Sequence, residues 1–288
     1  MSMPFYVSPE QSMRDKADYA RKGVARSRSS VVVQYSGGIL MVTPNLSSVL
    51  HKISEIYDRI AFAAVGRYNE YEVLRKAGVT YADLTGYQFD RGDVTARGLA
   101  NWYAQALGQN FSEPTGKPYE VELVVAEVGV KPDGDQIYRI SWDGSVSDEP
   151  GFVAFGGQAD QVAAALKERF ADGMSLTEAL AAALAALAAP AAATGTAAAA
   201  AANGAQPELT AANLEVAILD RARAHRTFRR LHGPRLEELI EASRTPAATE
   251  TAPAETAAEP AEPADKPAAP SSDEPPTGPT APGDGSPL

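Results

Sequence analysis

The chain has 288 residues, a formal net charge of −11 and no cysteine. Disulfides, thiolate catalysis and cysteine-based zinc sites are therefore excluded, and the acidic balance disfavours a nucleic-acid-binding face. None of the three histidines, His51, His225 and His232, has a partner at metal-ligand spacing, so neither a metal nor a cofactor site is expected.

From Thr245 onward the composition turns to Pro, Ala, Thr, Glu and Ser. Eight acids against Lys266 place −7 of the −11 there. Such a segment buries too little apolar surface to offset the entropy of ordering, and disorder is expected over 244–288. Arg14, Asp15 and Lys16 interrupt the N-terminus too early for a signal peptide. The Ala-rich run from Ala179 to Ala202 is broken by Pro190 and Gly195 and is no membrane span. A cytoplasmic protein with no membrane partner is expected.

In chain order, Phe5, Tyr6 and Val7 form an apolar leader. Ser8 then offers an N-cap, Pro9 a first helical residue and Gln11 the reciprocal member of a capping box. Met13, Ala17, Ala20 and Val24 recur at helical spacing, and Gly23 is expected to end that helix. "SSVVVQYSGGILMV" gives two strands around Gly37-Gly38. Residues 51–57 alternate weakly as a strand. Asp58-Arg59 turns the chain into "IAFAAVG", an apolar run suited to a strand buried on both faces.

Asn69 is expected to cap one helix, with Glu72 three residues on. Asp93 is expected to cap another, whose Leu99, Trp102, Tyr103, Ala106 and Leu107 form one stripe. Strands follow at 119–129, 136–146 and 152–157, punctuated by Asp133-Gly134 and Asp143-Gly144. A second helix pair carries Val162, Ala165, Leu166 and Phe170, then the box Ser175…Glu178 with Leu180, Leu184 and Leu187. An Ala-rich loop is expected over 190–207. "LEVAILD" and "RTFRRL" are strands, and Pro234 opens a last helix. Two helix pairs separated by strands suit two stacked sheets covered on both outer faces, a four-layer αββα sandwich of the α+β class.

"SPEQSMRDKADYARKGVARSRSSVVVQYSGGILMV", "HKISEIYDRIAFAAVG" and "KPYEVELVVAEVG" together resemble the α subunits of proteasome core particles of the actinobacterial type. The likeness runs from Pro4 to Ser243, and one spacing departs from the general family signature: Pro9 to Tyr19 is ten residues rather than nine. The resemblance implies an Ntn-hydrolase-like domain over 9–243, assembled into seven-membered rings stacked on a proteasome beta subunit. It also implies docking of a ring-shaped AAA ATPase through that partner's C-terminal tail. Protein substrates marked by a small ubiquitin-like modifier are a further implication.

Catalysis in the β-type relatives uses an N-terminal threonine freed from a propeptide, with its own α-amino group as base. Here the first strand follows "KGVARSRSS" and a capped helix, and the Gly195-Thr196 pair lies in the Ala-rich loop. No catalytic residue is expected. His51, Ser54 and Asp58 do not form a triad either, because strand side chains alternate and Asp58 sits in the turn. The resemblance gives Lys52 a role instead: lining a pocket between adjacent subunits, where it captures an activator's terminal carboxylate. Without the resemblance, Lys52 reads as an exposed lysine on a strand. The mobile arm over 1–8 is assigned to a gate, with Pro4, Phe5, Tyr6 and Val7 leading to Ser8 and Pro9. The alternative from another class is a self-processing Ntn hydrolase with its own nucleophile; intact mass separates the two, since that enzyme must lose its N-terminal helix.

Overall fold

The computed structural model describes residues 8–193 and 209–244. Two five-stranded antiparallel sheets are stacked face to face. From edge to edge, the first has β10 (Phe228–Leu231), β9 (Leu214–Asp220), β2 (Gly38–Pro44), β1 (Ser30–Tyr35) and β8 (Phe152–Phe155). The second has, likewise from edge to edge, β3 (Ile53–Tyr57), β4 (Ile60–Gly66), β5 (Val121–Glu127), β6 (Gln136–Ile140) and β7 (Val146–Asp148).

Strand parity divides the apolar residues into three layers. Val32, Ile39, Met41, Ala61, Ala63, Val65, Val124, Ala126, Ala217 and Leu219 point between the sheets. Their neighbours Val31, Val33, Leu40, Val42, Val216 and Ile218 face outward, onto α4 (Ala159–Lys167), α5 (Leu176–Ala193) and α6 (Pro234–Arg244). On the second sheet, Phe62, Ala64, Leu123 and Val125 face α2 (Tyr68–Gln88) and α3 (Ala96–Ser112). Central strands are thus covered on both faces, which is why "IAFAAVG" reads as an unbroken apolar run. This is the expected αββα sandwich with an N-terminal helix.

The β1–β2 hairpin turns at Ser36-Gly37. Gly38 opens β2 at φ +147, and a Cβ there would lie 1.9 Å from Leu219 O of the next strand, so glycine is required. The expected strand over 136–146 is two, β6 and β7, because Gly144 takes φ +85 in the turn between them.

Helix α1 (Pro9–Ala25) is capped as read: Ser8 Oγ accepts from Gln11 N at 3.2 Å, with Pro9 at the start. The reciprocal contact is absent, since Gln11 Nε2 donates to Asp15 Oδ1 at 2.8 Å. The helix also runs through Gly23 to Ala25. Ala20 and Val24 are its buried residues, and Val24 closes one end of the inter-sheet layer.

Two other caps are corrected. Helix α2 starts at Tyr68 after Arg67, with no side-chain cap, and Glu72 pairs with Arg75 instead. Helix α3 is capped by Thr95, which accepts from Gly98 N at 3.1 Å, while Asp93 closes a 3₁₀ turn with Asp90. The box at Ser175 forms as expected, with Ser175 N donating to Glu178 Oε2 at 2.8 Å. Helix α5 continues past Pro190 to Ala193, into the segment read as loop. The rest of that loop, the gate residues Pro4 to Val7 and the acidic tail lie outside the described residues.

Candidate functional site

Lys52 lies just before β3, at the end of the segment that links the two sheets after β2. It is therefore not a strand residue, and its direction is set by the loop. That loop is organised from within by Asn45: its Nδ2 donates to Leu50 O at 2.7 Å, and its Oδ1 accepts from Ser47 N at 3.0 Å. Ser47 Oγ accepts from Leu50 N at 2.9 Å. These side-chain-to-backbone bonds make successive turns. They leave Leu46 and Val49 on the surface, 69% and 76% exposed.

The loop is fastened to the first sheet by Glu215 of β9, a residue sequence reading did not single out. Its side chain is 6% exposed. Glu215 Oε2 accepts from Asn45 Nδ2 at 2.8 Å and Lys52 N at 2.9 Å, and Oε1 accepts from Ile53 N at 3.1 Å. Arg230 of β10 forms an ion pair with Oε1 and donates a second bond to Ile53 O at 2.8 Å. His51 Nδ1 stands 3.4 Å from Oε1. A buried carboxylate with this many donors is compensated where an isolated one would not be tolerated.

The Lys52 ammonium is not bonded to that carboxylate. Nζ donates to a neutral acceptor, Pro44 O, at 3.1 Å. Its pKa is held below the ordinary lysine value, by burial first and by the nearby Arg28 cation second, with Glu215 acting in the opposite direction. The β1–β2 register explains the neighbour. Val31 faces Val42, and Ser30 Oγ donates to Thr43 Oγ1 at 2.6 Å, so the chain before Ser30 runs alongside Pro44. The arrangement is a partly desolvated ammonium that feels a second cation, on a braced loop with apolar side chains. Chemically it favours an incoming carboxylate.

The other residues of the catalytic-looking stretch separate. His51 turns toward Glu215, Ser54 lies on β3 opposite Phe62, and Asp58 is committed to Arg91 Nη2 at 2.8 and 2.7 Å. Ser29 and Ser30, at the start of the first strand, are buried. Their hydroxyls are engaged, Ser29 Oγ accepting from Gln158 N at 3.0 Å and Ser30 Oγ donating to Thr43. Of the gate residues, Ser8 and Pro9 fall in the described part, as cap and first residue of α1.

The chain matches the family model described as "Proteasome subunit" over residues 24–200. It is 63% identical to a protein named "Proteasome subunit alpha" from Thermomonospora curvata, over 83% of this chain and 98% of that one. Proteins of the same name from Thermobifida fusca and Streptosporangium roseum are 59% and 60% identical, over 84% and 87% of this chain and 92% of each relative. A likeness that spans both sheets and their helices, and extends to relatives of one subunit type, is a likeness of the whole domain: the chain belongs to the proteasome subunit family, among its actinobacterial alpha subunits.

Proposed function

We propose that this chain forms the outer rings of a cytoplasmic proteasome core. Seven copies assemble on rings of the beta subunit, admit protein substrates to the proteolytic chamber and dock a ring-shaped ATPase, without catalysing hydrolysis themselves. The names and identities of its relatives support the subunit type. The engaged hydroxyls of Ser29 and Ser30, behind an intact α1, support the non-catalytic part.

The observation that carries the docking role is the state of Lys52. Its ammonium is partly desolvated, bonded to a neutral carbonyl and within the electrostatic reach of Arg28. A terminal carboxylate brought to Nζ would gain a charge-assisted bond stronger than the one it replaces. Residues 1–8 supply the gate in this reading: apolar arms of several copies meeting on an axis would occlude a narrow pore. Substrates carrying a small ubiquitin-like tag would be delivered by the docked ATPase.

Replacing Lys52 with alanine tests the assignment. ATPase-stimulated protein degradation is expected to be lost, with particles of normal size still forming. Stimulation at the wild-type level would remove Lys52 from the docking site.

A further inference from the structure

The Lys52 backbone touches a buried carboxylate, yet its ammonium does not pair with it. Glu215 already accepts from Asn45 Nδ2, Lys52 N and Ile53 N and is ion-paired with Arg230. The two ends of one residue are thus treated differently. The Lys52 backbone N–H is fixed on Glu215 at 2.9 Å, while its side chain leaves for Pro44 O at 3.1 Å. Among the described residues no other partner of Nζ competes for it.

We propose that Glu215 and Arg230 act as a positioning pair for Lys52: Glu215 pins the loop that carries it, and Arg230 saturates Glu215 so that the Lys52 ammonium remains free to take a carboxylate from outside. This rests on the reading of Lys52 as the docking charge. Geometry alone gives both halves of the role. Asn45 and Ile53 mark the two ends of the loop, and one carboxylate holds both. Arg230 bridges from that carboxylate to Ile53 O at 2.8 Å, so a single guanidinium neutralises the anchor and clamps the first residue of β3. A planar guanidinium with several fixed donors suits this double contact, where a lysine would be a point charge.

Without the Arg230 charge, Glu215 would be a buried anion that attracts the Lys52 ammonium, with His51 Nδ1 already 3.4 Å away. An internal Lys52–Glu215 pair would then form at the expense of the external one. The pair therefore sets availability of the docking charge, and neither member needs to touch the ligand.

The test uses the full-length chain in assembled particles and two probes: a fluorescent peptide ending in leucine with a free α-carboxylate, and its C-terminal amide twin. The readout is the ratio of their affinities, which general loosening of the fold does not change selectively. In the wild type the acid binds more tightly than the amide, and Lys52→Ala abolishes the preference. Glu215→Gln and Arg230→Gln are each expected to weaken the acid about tenfold while leaving the amide unchanged. Arg230→Lys, which restores a cation, is expected to recover most of the ratio. Should Glu215→Gln fail to assemble, the Arg230 variants carry the test.

If Lys52→Ala removes the preference but both Arg230 variants and Glu215→Gln keep the wild-type ratio, the positioning pair is wrong and the docking role of Lys52 stands. Equal loss of acid and amide binding in Arg230→Gln, unrelieved by Arg230→Lys, also overturns it, by reducing the pair to structural support. A wild-type preference in Lys52→Ala would instead overturn the docking reading itself.

Discussion

Glu120 lies directly beneath Gly23: a Cβ built on Gly23 would stand 2.3 Å from Glu120 Oε2 and 2.6 Å from Glu120 Cβ. Swinging the carboxylate away would not make room, because the carbon nearest the backbone is also in the way. Alanine at 23 would gain about 1 kcal/mol in helix propensity. Forcing a methyl into a filled contact costs roughly 1 to 3 kcal/mol. Gly23→Ala is therefore expected to loosen α1, with faster amide exchange in residues 9–25 and a lower urea midpoint. A stabilised variant would show that α1 can slide off this contact freely.

The same carboxylate makes α1 sensitive to acid. Lys117 Nζ lies 2.9 Å and Arg67 Nε 3.4 Å from Glu120 Oε1. Burial acts to raise the Glu120 pKa, and the Lys117 ammonium, the Tyr19 hydroxyl and the Arg67 charge together more than offset it, leaving the pKa below the ordinary value of 4.5. The unfolded state thus takes up this proton first as pH falls, so the contribution is complete above the ordinary pKa and is lost below it, through the folded value. Protection of α1 amides is expected to hold at neutral pH and to decline below about pH 4.5, ahead of the central strands. A profile that falls in step with β4 and β5 would contradict a local role for Glu120.

Tyr103 of α3 is fully buried against Phe62, with ring centroids 5.7 Å apart, and its hydroxyl has no partner among the described residues. Burial pushes its pKa far above the ordinary tyrosine value. Since an unsatisfied buried hydroxyl carries a desolvation penalty, Tyr103→Phe is expected to be neutral or to stabilise by about 1 kcal/mol. The check is a shift in denaturant midpoint at constant slope. A loss of more than about 1 kcal/mol would mean that the hydroxyl is satisfied in solution.

Removal of Ser2 to Val7 bears on the proposed gate. Unassisted hydrolysis of short peptides by assembled particles is expected to rise, because the deletion takes away apolar bulk while leaving the Ser8 cap and Pro9 of α1 in place. An unchanged rate would argue that the arm does not obstruct the pore.

Much of the architecture is legible in the residues themselves. The continuous apolar run "IAFAAVG" reads as a strand covered on both faces and is one, and "LEVAILD" reads as a strand and is one. Ser8 and Ser175 announce helix starts because each places a hydroxyl three residues before a free backbone N–H. The same rule misleads at Asp93, where an acceptor of the right kind finds a nearer use in a 3₁₀ turn and Thr95 caps α3. Gly23 misleads for a related reason. Glycine commonly ends helices, but here it is needed for a close approach to Glu120.

At the candidate site, resemblance singles out Lys52, and nothing local distinguishes it from any surface lysine. Glu215 was out of reach in another way, as one acid in a strand otherwise read for its apolar residues, 163 positions from the backbone N–H it holds. By itself the sequence determined the strand and helix periods, the absence of cysteine chemistry and the four-layer order, because these follow from local pattern and composition. Only the tertiary structure decided that Glu215, Arg230 and Asn45 converge on one loop and leave the Lys52 ammonium bonded to a carbonyl and not to Glu215. That outcome depends on which distant donors reach a buried charge, and those distances are set by strand pairing within the first sheet and by the way β3 of the second sheet lies against it.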